Sequence, residues 1–217
     1  RKAYHILSCL ENVGGELNAY TTKEETCIHA SFLKEFYNKA VELIADIAFN
    51  SVYPENEIEK EKEVILDEIN SYLDSPAEEI YDEFENNLYK GHEMGRNILG
   101  TAELVNGFTR ADICRFLKNN YSTDRMVIAT VGDISFEKFK NKVVTYFSEQ
   151  QRVSTTFHRT KFERLPAFNI IQERNNHLSH CMMGGLSYHI DSEKKVQMVL
   201  LNNILGGPGM NSRLNLN

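Results

Sequence analysis

The sequence predicts an α+β fold in which an antiparallel sheet packs against helices. Three observations carry that expectation. Two β-rich runs, Leu17 to Thr22 and Thr26 to Leu33, are joined by the short polar connection Lys23-Glu24-Glu25, the pattern of a hairpin. Several longer runs repeat apolar residues at helical spacing. Strand and helix signals are segregated along the chain and do not alternate, which disfavours a doubly wound parallel sheet.

Taken in order, residues 2 to 12 read as a helix with the stripe Ile6, Leu7 and Leu10, stopped by Gly14-Gly15. In the second strand, Cys27, His29 and Ser31 alternate with Ile28, Ala30 and Phe32. Lys34 to Asn50 carries Phe36, Ala40, Leu43, Ile44 and Ile47 at helical spacing. Pro54 stands where a helix accepts proline in its first turn, and the long helix Glu55 to about Leu73 follows. Ser75-Pro76 opens another helix through Ile80, Phe84 and Leu88, and Gly91, Gly95 and Gly100 mark a loop. Thr109 caps a helix to about Asn120, with Asp112 in its first turn. Arg125 to Val131 is a nearly continuous apolar run and predicts a buried strand. Phe136 to Phe147 is amphipathic, and Gln151 to Lys161 is polar without a period. Phe168 to Glu173 and Leu178 to Leu186 read as strands, and Glu193 to Leu205 as a helix ahead of Gly206-Gly207-Pro208-Gly209.

Composition narrows the function. Twenty-four Lys and Arg against 31 Asp and Glu leave a net charge of −7, a poor generic surface for nucleic acid or anionic membrane. No apolar run approaches the ~20 residues needed to span a bilayer. Cys9, Cys27, Cys114 and Cys181 lie far apart without a Cys-x-x-Cys pair, so neither a disulfide framework nor a cysteine-rich zinc site is expected. No signal peptide opens the chain; a cytoplasmic location is the expectation, with an export signal further upstream left open. The chain starts without Met inside a helical run and stops just after a glycine turn, and it reads as a piece of a longer protein.

The long helix carries the sharpest chemistry. At ~100° per residue, Ile58, Ile65, Leu66, Ile69, Tyr72 and Leu73 make one apolar face. Glu61 and Glu68, seven apart, project within roughly 20° of each other, on the flank of that face between Tyr72 and Val64. Two carboxylates there need hydrogen bonds, cations or a metal, or else reach out to water. His177-x-x-His180 has ligand-like spacing, but on a strand i and i+3 point to opposite faces.

These pieces fall in a recognisable order: Glu11-Asn12-Val13-Gly14-Gly15-Glu16-Leu17-Asn18-Ala19-Tyr20-Thr21-Thr22, then Glu25-Thr26, then Glu61-Lys62-Glu63-Val64-Ile65-Leu66-Asp67-Glu68-Ile69. Asp74-Ser75-Pro76, Gly100-Thr101, Tyr121 to Met126, Val131-Gly132-Asp133, Leu205-Gly206-Gly207 and Ser212-Arg213-Leu214 complete it. The set resembles the pitrilysin or insulinase-type zinc metallopeptidases (inverzincins), the group that also holds the mitochondrial processing peptidases. The resemblance spans essentially the whole chain. It implies that Glu68 is a zinc ligand and that Glu61 supports the site from one heptad before it. It also implies that Asn18 and Ala19 lie on an edge strand that pairs with an extended substrate.

The resemblance further implies a domain plan. Residues 1–150 form most of a metallopeptidase-like domain whose first strands and metal helix are missing, 151–162 form a linker, and 163–217 start a second, related domain. The implied activity of the intact protein is zinc-dependent endopeptidase hydrolysis of extended or unfolded peptides by metal-activated water. Its partners would be peptide substrate and the rest of its own chain, or a homologous subunit, forming a two-half chamber. One departure matters: no His-x-x-Glu-His occurs in the 217 residues, so zinc and activity are not expected of this stretch alone. Two other readings compete: a non-catalytic homologue serving as partner subunit or scaffold, and a helical binding module with an acidic stripe. Retention of both Glu61 and Glu68 argues against the first, and the hairpin and glycine signatures argue against the second.

Overall fold

Helix α1 (Ala3–Glu11) runs into a hairpin, β1 (Glu16–Thr21) and β2 (Thr26–Ser31), in a computed structural model that describes residues 3–148, 159–175 and 177–216. The helices α2 (Tyr37–Asn50), α3 (Glu55–Leu73), α4 (Pro76–Leu88), α5 (Ala102–Gly107), α6 (Arg110–Asn120) and α7 (Phe136–Phe147) follow, and α8 (Lys195–Gly206) and α9 (Arg213–Leu216) close the order. The fold is α+β: β1 and β2 form an antiparallel two-stranded sheet, with Leu17 opposite Ala30 and Ala19 opposite Ile28.

The local signals place the helices well. Pro76 occupies the start of α4, as its fixed φ favours. Pro54 sits one residue ahead of α3, as its cap at φ −60° and ψ 138°, and not inside its first turn. Thr109 caps α6 in a reciprocal box: its hydroxyl accepts the Asp112 N–H at 3.4 Å, and the Asp112 carboxylate accepts the Thr109 N–H at 3.0 Å. The Thr109 hydroxyl and N–H hold the Asp112 carboxyl below its ordinary range, with a smaller contribution from Arg115. Helix α5 was not expected; it is too short to show a period, and Thr101 caps it.

Helix α2 is the spine. Its Ala40 and Leu43 pack on Leu10 of α1, joined by Leu17 and Ala30 of the hairpin. Its Val41 and Ala45 pack on Phe147 of α7, where the rings of Phe49 and Phe147 meet edge to face at 5.5 Å. Leu10 is fully buried under the root of the hairpin, so Leu10→Ala in the full-length protein is expected to cost about 2–5 kcal/mol. A urea titration showing an unmoved midpoint would contradict that packing.

The three predicted strands after α6 do not form. The run Met126 to Val131 has no ladder partner among the described residues, and its Val127 and Val131 are 93% and 103% exposed. The segments 168–173 and 178–186 are likewise irregular, and both lie against Phe84 of α4, the first through the Phe168 ring at 5.7 Å and the second at Gly184. An apolar run becomes a strand only when its N–H and C=O groups find a ladder. Here an open cleft of about 2080 Å³ is lined by β2 and by this run, with Ile28, Val41, Ile44 and Ile128 among its walls. Residues 149–158, which include most of the expected linker, lie outside the described residues.

The exposed area is large. A folded monomer of 25.0 kDa would expose roughly 10,000 Å². This chain exposes 17546 Å². Val196, Val199 and Leu200 of α8 alone are 76%, 52% and 60% exposed. No helix among the described residues is long and apolar enough to cross a membrane.

Candidate functional site

The hairpin is seated by two glycines. Gly14 ends α1 at φ +74°, a left-handed conformation that favours glycine. At Gly15 a Cβ would stand 2.9 Å from the Ser31 carbonyl oxygen and 3.2 Å from that of Leu10, so the strand can approach the helix this closely only without a side chain. Leu17 then enters the core, while Asn18 and Ala19 are exposed.

The hairpin register decides which backbone groups are free. The Thr22 N–H donates to the Glu25 carbonyl at 2.8 Å, closing the turn. Bonded and non-bonded pairs alternate back from it, so Leu17, Ala19 and Thr21 turn their N–H and C=O groups away from β2. The Ala19 N–H donates instead to its neighbour's side chain, Asn18 Oδ1, at 2.8 Å. Thus β1 presents an open edge at Ala19, with the Asn18 amide folded over it.

The tip of the hairpin is tied to distant elements. Lys23, with only 16% of its side chain exposed, is ion-paired with Glu85 of α4 and donates to the Met94 carbonyl at 2.7 Å. Arg159 pairs with Glu24 at 2.6 Å. The Tyr121 phenol is pushed up chiefly by burial, then by Tyr53, while a hydrogen bond from Thr26 pulls it down. The Tyr20 phenol is also pushed up, first by its hydrogen bond to Cys27 across the strand pair and then by charge on Cys27 and Glu25.

Helix α3 leans on α4 and α5 with Ile58, Ile65, Leu66 and Ile69 half-buried. Its lysines serve other carboxylates: Lys60 pairs with Glu57 at 3.0 Å, and Lys62 pairs with Glu59 at 2.7 Å while donating to the Asn106 carbonyl at 3.2 Å. Glu61 and Glu68 are exposed and make no hydrogen bond or ion pair among the described residues. Val64 and Tyr72, on the same flank, are 58% and 38% exposed. The side of α3 that carries both carboxylates is therefore uncovered, with apolar side chains standing among the charges.

The structure keeps the sequence-derived residues in two places, Asn18 and Ala19 on β1 and Glu61 and Glu68 on α3, and no bond joins the two. No group of three or more His, Cys, Asp or Glu side chains gathers among the described residues. His177 and His180 are both exposed, and His189 faces Asp191 at 3.2 Å. The donors of this stretch, two carboxylates without a histidine beside them, do not make a zinc site on their own. Lys23 went unnoticed in the sequence, where it is one polar residue of a turn; its partner Glu85 lies 62 residues away and leaves no local signal.

Comparison with known proteins identifies the family. Residues 1–102 match the model of the insulinase family, peptidase family M16, and residues 107–217 match that of the peptidase M16 inactive domain. The chain is 32% identical over 216 residues to a Bacillus subtilis protein named "Uncharacterized zinc protease YmxG", covering 99% of this chain and 52% of that one. It is 39% identical over 138 residues to a Schizosaccharomyces pombe protein named "Probable mitochondrial-processing peptidase subunit beta", covering 63% of this chain and 30% of that one. Among solved structures, a peptidase M16 inactive domain from Pseudomonas fluorescens superposes with a TM-score of 0.77 at 17% identity, over 99% of this chain and 53% of that one. The chain spans about half the length of the Bacillus relative. With both family models matched in sequence order and the M16 fold shared, the chain belongs to the insulinase family of peptidases, family M16.

Proposed function

We propose that the intact protein is a zinc-dependent endopeptidase acting on extended or unfolded peptides, and that this stretch supplies its peptide-docking edge and a carboxylate for the metal. One observation carries the reading: Glu61 and Glu68 share an uncovered flank of α3 with exposed Val64 and Tyr72, in a chain of family M16. Solvated acidic stripes on helices do not ordinarily interleave with bare Val and Tyr. A covering surface would bury the apolar side chains and leave the carboxylates facing it.

In this reading Glu68 reaches the metal and Glu61 supports it. Because the donors here are incomplete, no step of the hydrolysis is assigned to these residues. Their own contribution is docking. The outward N–H and C=O groups of Ala19 add an extended peptide to β1 as a further strand, and Asn18 releases the Ala19 N–H when it arrives. Backbone pairing reads no sequence, which suits a peptidase for unfolded chains. The exposed area calls for extensive cover, and we assign it to the rest of the same polypeptide or a homologous subunit, the two halves enclosing the substrate. The domain plan that goes with it is 1–150, a linker 151–162, and a second related domain from 163.

A second reading, a non-catalytic partner subunit or scaffold, draws on the description of the domain matched by residues 107–217 as inactive, although a relative named a zinc protease shares that stretch. A cleavage assay separates the two. The full-length protein is expected to hydrolyse an unstructured peptide, to lose that activity to a chelator and to regain it with zinc. Absence of cleavage, or cleavage indifferent to chelation, would favour the scaffold or a different chemistry.

A further inference from the structure

Two-stranded ribbons twist freely, and an isolated hairpin is only marginally stable. The root of this one is fixed by Leu17 and Ala30 on the core around Leu10. The tip needs a separate anchor; beside the exposed Arg159–Glu24 pair, Lys23 supplies the least solvated one. Its ammonium has little access to water and is satisfied by the Glu85 carboxylate and the Met94 carbonyl. Lifting the tip would break both contacts at once, the hydrogen bond to the Met94 carbonyl and the ion pair with Glu85, whose own side chain is 47% exposed.

The anchor point is itself rigid. Met94 belongs to a 3₁₀ turn, Glu93–Gly95, whose Met94 N–H donates to His92 Nδ1 at 3.1 Å. Gly95 lies so close to the chain that a Cβ would sit 2.8 Å from the Tyr89 carbonyl oxygen. Glu85 lies on α4 about 200° around the axis from Glu83. Glu83 and Glu79 hold Arg174 of the irregular segment that crosses α4, with Glu83 at 2.5 Å from the guanidinium. Helix α4 therefore grips the hairpin tip on one side and the path into the C-terminal segment on the other.

We propose that Lys23 is a positioning residue for peptide docking: through Glu85 and Met94 it sets the height and angle at which β1 offers the open edge at Ala19. The proposal rests on the reading of β1 as the docking edge. It is tested in the full-length protein with Lys23→Met, Glu85→Gln, and the reversed pair Lys23→Glu with Glu85→Lys, using an unstructured peptide substrate.

Lys23→Met and Glu85→Gln are each expected to raise KM about tenfold while kcat changes less than twofold, with zinc content unaltered. The reversed pair is expected to recover most of the lost KM. A change in Tm with KM unmoved would make Lys23 a structural anchor only and overturn the proposal, leaving the docking edge intact. A fall in kcat with KM unmoved, or a reversed pair no better than either single variant, would also overturn it. If Lys23→Met fails to fold, the Glu85→Gln and reversed-pair arms decide. If the wild-type protein cleaves no peptide, the endopeptidase reading fails first, and this proposal falls with it.

Discussion

Replacing Glu68 by Gln in the full-length protein is expected to abolish zinc retention and peptide cleavage while leaving the fold intact. The two side chains have nearly the same shape, and Glu68 is exposed with no ion pair among the described residues, so the folded framework loses no contact. Surface changes of this kind usually move stability by no more than about 0.5 kcal/mol. The chemical difference is large, because zinc is held by carboxylate, imidazole and thiolate, and a neutral amide oxygen does not replace a carboxylate in such a set. Glu61→Gln should weaken metal affinity or activity by about 10- to 100-fold, the range for groups that orient a ligand without touching the metal. Metal analysis after dialysis, a circular dichroism spectrum and a peptide assay measure all three quantities. Full activity of Glu68→Gln would remove Glu68 from the metal site.

The 217 residues expressed alone are expected to bind zinc well below one equivalent and to cleave nothing. The described residues bring no three metal-binding side chains together, and two exposed carboxylates share their site with water. The same protein should unfold over a broad range and bind a hydrophobic dye. The reason is the exposed area, about 7,000 Å² above that of a folded monomer of this mass, at ~25 cal/mol per Å² for its apolar part. The cleft beside β2 and the bare apolar side chains of α8 account for some of that excess. Stoichiometric zinc that survives dialysis, or a sharp unfolding transition without dye binding, would contradict this expectation.

The candidate site is only half legible in the sequence. The register of Glu61 with Glu68 follows from helical geometry alone, and so does the neighbourhood of Val64 and Tyr72. What those side chains face does not follow from it: the flank meets no second element among the described residues, and Val64 is more than half exposed. The alternation in β2 was likewise readable, but not the way Asn18 closes over the Ala19 N–H, which depends on a side-chain torsion. Lys23 shows the limit most plainly, since its role depends on α4 and a 3₁₀ turn, more than 60 residues away.

By itself the sequence determined the longer helices and the hairpin, but not the short α5 and α9. Every helical hydrogen bond closes within four residues, and only the four residues 22–25 separate the two strands, so Pro76, Thr109, Gly14 and the apolar periods sufficed to place these elements. Tertiary structure alone decided whether Met126 to Val131 would be a strand, which face of α3 would be covered, and where Lys23 would spend its charge. Strand pairing, burial and long-range ion pairs each require a partner that the chain must bring from far along its length, and no local pattern specifies which partner arrives.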